Sequence, residues 1–410
     1  MKKIIARTTI PISSEELKSL FNRVTLKDVT TFEHNLGTYL GVKTVSALDS
    51  GRSALALALR LFKLKPGEKV LLPAFVCPIL YDVILSMGLK PIPVDVSFKT
   101  YNIDISQIKK AQIKDVRLMI IVHLFGKSCN MDEIIEFTNN NGLYLIEDAA
   151  QALGAEYKGK KIGTFGDVSI LSFGLGKVIT GGSGGAIIIN NSEFLDDLKL
   201  IKEKILFSKL STRLNVTGNI IIMNMLSNFY IYSILREPIN SFFDEIDYKI
   251  IKSIQKKLID PKSVKNKYIP YIIHSLSAKI TNFQLEKLDK FNKKRIYYAR
   301  QFSEMLREQN VVQFQSEEYF KNNIFSRFPL KTVDNSFTRR DLILNKLLQL
   351  GIDAEKPYFA LKRILPTFEE THNSINLTDT MFTLPNSPCL SPNDVDFIGK
   401  AALGILKSMK

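Results

Sequence analysis

Two groups suited to acid–base and covalent chemistry follow two predicted strands in the first half of the chain. Leu143–Ile146 is a short apolar run typical of a strand, and the carboxylates of Glu147 and Asp148 come directly after it. A second such run, Val168–Phe173, leads into Lys177, a single lysine among glycines. Because open α/β sheets bind their ligands at the carboxyl ends of strands, we expect the acids and the amine to meet at one edge of a sheet.

A carboxylate and a lysine amine at one site are what pyridoxal phosphate requires. The carboxylate pairs with the pyridine nitrogen of that cofactor, and the amine reacts with its aldehyde. A lysine that is partly desolvated or close to other cations loses its proton more easily and becomes a better nucleophile. Acids also end strands for structural reasons, and a lysine among glycines is usually a solvated loop residue. It is therefore the combination of Asp148 and Lys177 that indicates a cofactor site.

A third feature, upstream of these two, suits a phosphate group. Lys43–Leu48 is predicted to be a strand, and the DSGRS turn at 49–53 connects it to a nearly unbroken apolar helix, Ala54–Phe62. The N-terminus of such a helix presents backbone N–H groups and a positive dipole, and Arg52 can add a full charge. Many strand-to-helix turns look the same and bind nothing, so this turn supports a phosphate site only together with the other two features.

Strand-like runs alternate with helical patterns, which predicts an α/β fold with a parallel sheet covered by helices on both faces. We expect a larger N-terminal domain, residues 1–265, and a smaller α+β domain, residues 266–410. Further strands are predicted at Lys69–Leu72, Lys90–Val94, Arg117–His123 and Phe325–Thr332, and helices at Ser13–Phe21, Thr31–Leu40, Pro78–Met87, Asp104–Lys110, Met131–Asn140, Ser277–Met305 and Arg339–Leu350, with a last helix beginning at Ser391.

The composition is typical of a globular protein in a reducing compartment. With 410 residues, 45% of them hydrophobic, and a mean hydropathy of +0.02, the chain can bury one large core or two modest ones. Cys77, Cys129 and Cys389 form no CxxC pair and no disulfide framework, and the N-terminal apolar run is too short for a secretory signal. We therefore expect a cytoplasmic protein.

Most of the net charge of +15 lies between Lys202 and Arg300. Such a region attracts polyanions such as nucleotide diphosphates or anionic lipid headgroups, or it is simply a solubilising surface. No zinc finger, RNP-like or helix-turn-helix pattern accompanies the charge, so we expect no nucleic-acid partner.

Other glycine-rich and metal-binding motifs do not fit. The Walker A spacing around Lys177 has Leu171 in place of the first glycine and Val178 in place of the Ser/Thr, and no GxGxxG opens a helix after the first strand. The four histidines show no metal-ligand spacing, so we expect no metal. His123 follows an apolar strand and is expected to be a packed, hydrogen-bonded residue rather than a catalyst.

Together these motifs resemble those of the DegT/DnrJ/StrS-type sugar aminotransferases, which are pyridoxal phosphate enzymes of the aspartate aminotransferase fold, fold type I. EDAAQ with SF…K downstream and SGxxAL upstream is a specific combination, although each motif alone is weak. The resemblance runs from about Phe32 to Gly185 through FEHNLGTYLGV, SGRSALALAL, KPGEKVLLPAF, PVDVSFKTYNID and LIEDAAQALGAEYKGKKIGTFGDVSILSF, and it resumes more loosely in FQLEKLDKF, RDLILNKLLQLGI and LPNSPCLSP.

The resemblance implies a role for each matching residue. Lys177 would bind the cofactor covalently and later move a proton, Asp148 would pair with the pyridine nitrogen, and Gln151 would contact the cofactor near its phenolic oxygen. Many members carry an aromatic residue that stacks on the ring close to the position of Cys77, and Phe75 lies two residues before it, so the residue that covers the ring is left open. The phosphate would be held by Gly51, Arg52 and Ser172, with Ser53 as a further candidate.

Three departures from the family pattern concern substrate handling. Val178 stands where asparagine usually follows the catalytic lysine. The segment after Leu198 lacks the RNHG-like turn that members use near the partner subunit's site, and the arginine of an NYR pattern is absent around Tyr271–Ile272. An insertion-like region, residues 204–267, takes the place of that turn.

Within residues 204–267, Asn219–Leu235 is predicted to form one mostly apolar helix, with Asn224, Ser227 and Asn228 on one narrow face. The stretch is too short and too polar to predict a membrane span. We expect it to be buried against the body of the protein or a partner chain, with peripheral membrane contact as the alternative because lysines lie nearby.

The resemblance implies transfer of an amino group, with glutamate as the expected donor, to a nucleotide-linked keto sugar of the kind used in polysaccharide biosynthesis, by a homodimer with shared active sites. A sugar dehydratase of the same fold replaces the lysine with histidine, so Lys177 argues against that reaction. Two alternatives remain. Another fold-type-I enzyme acting on a non-sugar substrate would share every cofactor residue, and a non-catalytic regulatory homologue would keep the fold.

Overall fold

The computed structural model describes residues 3–110, 113–208, 210–260, 268–313, 317–321, 323–334, 336–358 and 371–409. Its strands are β1 (Thr44–Leu48), β2 (Lys69–Pro73), β3 (Lys90–Val94), β4 (Val116–Val122), β5 (Tyr144–Asp148), β6 (Glu156–Tyr157), β7 (Lys160–Lys161), β8 (Val168–Ser172), β9 (Gly185–Ile189), β10 (Leu206–Phe207), β11 (Tyr271–Ile272), β12 (Val312–Gln313), β13 (Phe328–Thr332) and β14 (Met381–Leu384). Its helices are α1 (Ser14–Ser19), α2 (Leu26–Leu40), α3 (Gly51–Leu61), α4 (Ile79–Ser86), α5 (Ile105–Lys110), α6 (Met131–Asn140), α7 (Leu195–Lys202), α8 (Leu210–Leu226), α9 (Phe229–Ile259), α10 (Ser275–Met305), α11 (Glu317–Phe320), α12 (Phe337–Gln349), α13 (His372–Thr380) and α14 (Pro392–Lys407).

Nine strands form one sheet in the order β10-β11-β1-β9-β8-β5-β4-β2-β3. The strands from β3 to β8 in this order run parallel to their neighbours, whereas β9 pairs antiparallel with both β8 and β1. Parallel neighbours require crossovers, and α4, α5 and α6 supply connections of that kind. The predicted large, mostly parallel sheet and the α/β fold class are confirmed.

The central strands are buried on both faces of this sheet. In β4, Leu118 and Ile120 pack into one apolar core while Met119 and Ile121 pack into the other, and all four side chains are fully buried. Successive side chains of a strand point to opposite faces, so a strand covered on both sides needs apolar residues at every position. This requirement explains the continuous apolar run in the sequence.

Helix α3 begins at Gly51 rather than at the predicted Ala54, and two further predicted boundaries are wrong for local reasons. Helix α2 begins at Leu26, earlier than predicted, because Thr25 and Asp28 form a capping box that satisfies the first N–H groups. Strand β13 begins at Phe328 rather than Phe325, because Phe325 has a φ of 50°, in the left-handed region outside any strand conformation.

A smaller antiparallel sheet lies in the C-terminal part of the chain, in the order β12-β13-β14. Phe328 pairs with Leu384 and Leu330 with Phe382, and these side chains are buried together with residues of α12 and α14. This is the α+β arrangement that the sequence predicts. The proposed division at residue 265 stays a prediction, and β11, which lies beyond it, pairs with β1 of the large sheet.

The predicted single helix Asn219–Leu235 is wrong, because the segment is broken into α8 and α9. The break falls at Ser227–Asn228, where the Asn228 side chain accepts hydrogen bonds from the backbone N–H groups of Tyr230 (3.0 Å) and Ile231 (3.3 Å). Asparagine competes with the helix for its own backbone in this way and so starts a new helix. Of the three polar residues that the sequence placed on one narrow face, Asn228 is therefore the cap of α9, whereas Asn224 lies within α8.

Helix α9 is held against α4 by a buried ion pair. Lys257 Nζ lies 2.6 Å from Asp82 Oδ1 and 2.6 Å from Ser86 Oγ, and Tyr268 donates a hydrogen bond to the other oxygen of Asp82. Asp82 is fully buried, as is Ile254 of α9. The C-terminal part of α9 is therefore packed on the body of the protein. None of the helices in the described ranges is long and apolar enough to cross a membrane.

Candidate active site

The carboxyl ends of four parallel strands bring His123 and three predicted site residues to one edge of the large sheet. Cys77 follows β2, His123 follows β4, Asp148 ends β5 and Ser172 ends β8. Strands β2, β4, β5 and β8 are consecutive neighbours in the sheet. This edge is where open α/β sheets bind ligands, because loops and helix N-termini converge there.

Glu147 and Asp148 are neighbours in β5, so their side chains point to opposite faces of the sheet. Glu147 is fully buried and accepts five hydrogen bonds. Its donors are His123 Nε2 (3.0 Å), Gly163 N (2.6 Å), Phe165 N (2.8 Å), Gly166 N (3.1 Å) and Ser169 Oγ (3.1 Å). Burial alone would raise the pKa of Glu147, but these hydrogen bonds hold it below its usual value. Glu147 therefore organises the loop after β7 and has no capacity left for a ligand.

His123 is a packed, hydrogen-bonded residue, as the sequence predicts. Its Nδ1 accepts a hydrogen bond from the backbone N–H of Cys129 at 3.0 Å, and its Nε2 faces Glu147 Oε1 at 3.0 Å. An Nδ1 that accepts a hydrogen bond carries no proton, so the proton lies on Nε2 and is donated to Glu147. The ring is fully buried, and it positions Glu147.

Asp148 differs from Glu147 in having acceptor capacity to spare. Within the described residues, its carboxylate accepts one hydrogen bond, from Ala150 N at 2.9 Å. Burial raises the pKa of the Asp148 carboxyl, and the positive charge of Lys177 partly offsets that rise. The carboxylate and the amine come from neighbouring parts of the sheet edge, Asp148 from the end of β5 and Lys177 from the turn after β8.

Lys177 lies in a glycine turn whose backbone is held from two sides. Gly176 has a φ of 76°, a conformation that residues with a Cβ rarely adopt. On the other side, Arg295 Nη2 of α10 donates a 2.7 Å hydrogen bond to the carbonyl oxygen of Val178. Lys177 as a whole is half-buried. Helix α10 and the glycine together fix the direction in which Lys177 leaves the turn.

The start of α3 lies against the end of β8 with no room to spare. A Cβ on Gly51 would lie 2.8 Å from Ser172 Cβ and 3.1 Å from Ser172 Oγ, so only glycine permits this approach. The Ser50 side chain caps the helix by accepting from Ser53 N at 3.2 Å. This arrangement places a helix N-terminus, with its N–H groups and positive dipole, beside the Ser172 hydroxyl, as a phosphate group requires.

The two remaining phosphate candidates differ in environment. Arg52 is exposed, so its guanidinium is free to move toward an anion at the start of α3. Ser53 is buried, and its N–H and hydroxyl both interact with the Ser50 side chain, the hydroxyl at 3.0 Å. The structure thus places Ser53 in the helix cap, whereas Arg52 faces solvent.

Gln151 brings a residue into the site that sequence reasoning missed. Its Oε1 accepts from Phe125 N at 3.2 Å, and its Nε2 donates to the hydroxyl of Tyr358. Tyr358 belongs to the C-terminal part of the chain, and no local motif around it distinguishes it from any other tyrosine. The only signal is its place a few residues after the family-like RDLILNKLLQLGI segment.

Cys77 and Phe75, which both follow β2, are the two residues between which the sequence leaves open the one that covers the cofactor ring. Cys77 is half-buried and free, and burial raises the pKa of its thiol while the Lys177 charge opposes that rise. Phe75 is only 1% exposed and lies under the Tyr358 ring, with ring centroids 5.3 Å apart and an interplanar angle of 81°.

The residues present fit a cofactor with a ring nitrogen, an aldehyde and a phosphate. Asp148 offers a buried carboxylate with unused acceptor capacity, Lys177 offers an amine at the same edge, and the turn at Gly51 offers a helix N-terminus beside a hydroxyl. Within the described part of the chain, no three His, Cys, Asp or Glu side chains are grouped to hold a metal ion.

Comparison with known sequences gives the following similarities. The profile of the DegT/DnrJ/EryC1/StrS aminotransferase family matches residues 14–216 and 263–402. The uncharacterized protein MJ1066 of Methanocaldococcus jannaschii is 39% identical over 171 residues, 42% of this chain and 44% of that protein. The GDP-perosamine synthase of Caulobacter vibrioides is 34% identical over 174 residues, 42% of this chain and 47% of the synthase. The chain thus matches less than half the length of these curated relatives.

Comparison of folds extends over nearly the whole chain. PseC of Helicobacter pylori, an aminotransferase involved in the biosynthesis of pseudoaminic acid, superimposes with a TM-score of 0.78 at 19% identity, covering 99% of this chain and 100% of PseC. At that identity the similarity shows the fold alone, which is fold type I.

Proposed function

Since the chain belongs to the DegT/DnrJ/EryC1/StrS aminotransferase family, we propose that it transfers an amino group from an amino acid, with glutamate as the donor, to a nucleotide-linked keto sugar. One observation carries the proposal. Asp148 ends β5 and Lys177 lies in the turn after the neighbouring strand β8, so both are at the carboxyl edge of the sheet. An aminotransferase needs these two groups at the same cofactor.

The aminotransferases of this family depend on pyridoxal phosphate, which supplies an aldehyde that takes up the amino group and a ring that withdraws electrons from the substrate carbon. The Asp148 carboxylate would bind the protonated pyridine nitrogen, and Gln151 would contact the phenolic oxygen. The phosphate would be held by Gly51, Arg52 and Ser172, with Ser53 keeping the helix start in place.

Lys177 performs two tasks in this proposal. Its Nζ would hold the cofactor, and once a donor amine has replaced it, the free amine would accept the proton of the donor's α-carbon and return it. A general base must stay within hydrogen-bond reach of the proton it abstracts. Gly176 and the hydrogen bond from Arg295 to Val178 hold the turn so that the amine stays in reach after it is released.

The test of this chemistry is covalent attachment at a single residue. Protein purified with pyridoxal phosphate should be yellow, and borohydride should bleach the colour and attach the cofactor to the peptide that contains Lys177. Lys177→Ala should abolish both the colour and the labelled peptide, whereas Lys160→Ala, an exposed lysine outside the site, should keep them. Labelling of Lys177→Ala at wild-type level would contradict the proposal.

The sugar acceptor is supported by similarity and by charge. The GDP-perosamine synthase that this chain resembles carries a GDP-linked product in its name, and the positive charge between Lys202 and Arg300 would attract a nucleotide diphosphate. Half-reaction turnover should be measured with glutamate, then with a panel of nucleotide-linked keto sugars and, separately, with 2-oxo acids. Turnover with the oxo acids alone would favour a fold-type-I enzyme acting on a non-sugar substrate, and a protein colourless with added cofactor would favour a regulatory homologue.

We also propose that the chain is a cytoplasmic homodimer with shared active sites. The outward face of α8 exposes Ile221, Ile222 and Met225 by 42%, 40% and 38%, an apolar surface suited to a second subunit. All three cysteines lie in the described ranges and are free, which suits a reducing compartment. Sedimentation should give the mass of a dimer, and Ile222→Glu should lower it. Binding to anionic vesicles with no dimer in solution would instead favour the peripheral membrane contact through residues 204–267.

A further inference from the structure

Tyr358 reaches the candidate active site from the smaller sheet. Glu355 is bridged to Thr383 of β14 by two backbone hydrogen bonds of 3.1 and 2.8 Å, and the chain then runs to Tyr358 at the edge of the large sheet. Its hydroxyl accepts the hydrogen bond from Gln151 Nε2. The position of this tyrosine is therefore set by the smaller sheet, while its side chain contacts the larger one.

The hydroxyl of Tyr358 determines which way the Gln151 amide faces. The amide oxygen is already held by Phe125 N at 3.2 Å, so the NH₂ group points to the opposite side. One N–H of that NH₂ group donates a hydrogen bond to the Tyr358 hydroxyl, so the second N–H is left to donate to another acceptor. An amide fixed at both ends presents its remaining donor in one direction.

Among the rings of Phe75, Phe125 and Tyr358, that of Tyr358 is the most accessible. It packs edge-on against Phe75 at 5.3 Å and lies nearly parallel to Phe125 at 6.3 Å and 25°, distances typical of aromatic pairs. Phe75 and Phe125 are both at most 1% exposed, whereas Tyr358 is half-buried. The thiol of Cys77 is small and offers no ring.

The same surroundings keep the Tyr358 hydroxyl neutral. Burial raises the pKa of Tyr358, and the nearby Cys77 thiol and Asp148 carboxylate raise it further, outweighing the opposing effects of Gln151 and Arg327. A neutral hydroxyl can accept from Gln151 and still donate its own proton, so it can bridge the amide and a ligand oxygen.

We propose that Tyr358 is a cofactor-positioning residue, whose ring forms the aromatic wall beside Cys77 and whose hydroxyl orients the Gln151 amide toward the phenolic oxygen of pyridoxal phosphate. This inference rests on the proposed function. It also makes the site depend on both sheets, because a residue fixed by β14 completes a pocket built on β2, β4 and β5.

The two parts of the proposal are separated by two variants at one position. Tyr358→Leu removes the ring, and Tyr358→Phe keeps the ring and removes the hydroxyl. Tyr297→Phe, an exposed tyrosine on α10, serves as the matched control. For each protein, the Kd for pyridoxal phosphate is measured by equilibrium dialysis, and the pH midpoint of the visible absorbance band is recorded. Circular dichroism confirms that each variant is folded.

We expect Tyr358→Leu to raise the Kd about tenfold, the value of a lost aromatic contact of roughly 1.4 kcal/mol. Tyr358→Phe should change the Kd much less but shift the pH midpoint of the band, because the phenolic oxygen loses an oriented donor. A Kd within twofold of wild type for Tyr358→Leu would contradict the proposal that the ring forms the aromatic wall. An unchanged pH midpoint of the absorbance band in Tyr358→Phe would contradict the orienting role of the hydroxyl. Wild-type protein that binds no cofactor would overturn the proposed function itself, whereas Lys177-dependent binding with both Tyr358 variants unchanged would overturn this inference alone.

Discussion

The guanidinium of Arg295 donates a 2.7 Å hydrogen bond to the carbonyl of Val178, the residue directly after Lys177. Arg295 is 3% exposed, and burial lowers its pKa to about 10. The first hydrogen bond is donated by Nη2, and Nη1 donates a second one to Asn292 Oδ1 at 2.7 Å. The Arg295 side chain donates hydrogen bonds to two neutral oxygens. Without Arg295 these two buried oxygens would lack these donors.

We expect Arg295→Lys to lower the free energy of unfolding by about 2 kcal/mol, because an ammonium group cannot reach both oxygens in the geometry of the planar guanidinium. The loosened turn should also slow the attachment of pyridoxal phosphate to Lys177. Urea unfolding and stopped-flow absorbance measure the two effects. Arg300→Lys, an exposed residue on the same helix, is the control, and equal stability of the two variants would refute the anchoring role.

Substitution of the two adjacent carboxylates of β5 should affect different properties, stability for Glu147 and cofactor binding for Asp148. Glu147→Gln places an NH₂ group against donors that include His123 Nε2 and Gly163 N, so we expect a loss of about 3 kcal/mol in the free energy of unfolding. Asp148→Asn removes the partner for a ring nitrogen and should weaken cofactor binding with little change in stability. Thermal unfolding and cofactor titration of both variants test this assignment. Weaker cofactor binding in a stable Glu147→Gln protein would reverse it.

The contact between Gly51 and Ser172 offers a rescue experiment. A methyl group at position 51 would meet the Ser172 side chain at 2.8 Å, so Gly51→Ala should lower the midpoint of thermal unfolding and the affinity for pyridoxal phosphate. Adding Ser172→Gly removes the atom in the way and should restore much of the stability, though not the lost hydroxyl contact with the phosphate. If the double variant is no more stable than Gly51→Ala, the clash lies elsewhere.

Asp247 of α9 gives a pH dependence of defined sign. Burial and the nearby carboxylates of Asp244 and Glu355 raise the pKa of Asp247 from 3.8 to about 6. Because the folded state binds this proton more tightly than the unfolded state, the group makes stability fall as pH rises from about 4 to 6. Asp247→Asn should therefore match wild type at pH 4 and be more stable above pH 6.

Urea unfolding of wild type and Asp247→Asn at several pH values tests this prediction, since other titrating groups cancel in the difference. Asp244→Asn provides a second measurement, because removing one repelling charge should move the pH-dependent window downward. A difference between Asp247→Asn and wild type that does not vary with pH would show that Asp247 titrates normally.

Much of the large sheet and its site was predictable because the signals are local. Strand β3 and helix α6 lie where the sequence places them, since apolar periodicity and turn residues identify such elements within a few positions. Asp148 and Lys177 were chosen as candidates in the same way, Asp148 at the end of a buried run and Lys177 in the turn after the next one. Only the resemblance to a known family, however, assigned one acid of the Glu147–Asp148 pair to a cofactor. The hydrogen bonds of Glu147 now supply a physical reason.

The features that were missed depend on contacts between distant parts of the chain. Tyr358 lies 207 positions from Gln151, and no periodicity near it points to a role in the site. The break between α8 and α9 was present in the sequence as Asn228, but an asparagine in an apolar helical pattern looks the same whether it faces solvent or caps a new helix. The left-handed conformation of Phe325 is likewise imposed by its surroundings, because aromatic residues rarely adopt a positive φ on their own.

The buried pair of Lys257 and Asp82 ties α9 to α4. Asp82 lies on α4, the helix that starts just after Cys77, so excising the segment that contains α9 would leave this buried carboxylate without its lysine. A chimera that exchanged this segment for that of a relative would need a matching change in α4. Any attempt to alter acceptor choice by grafting here is therefore an alteration of two helices at once.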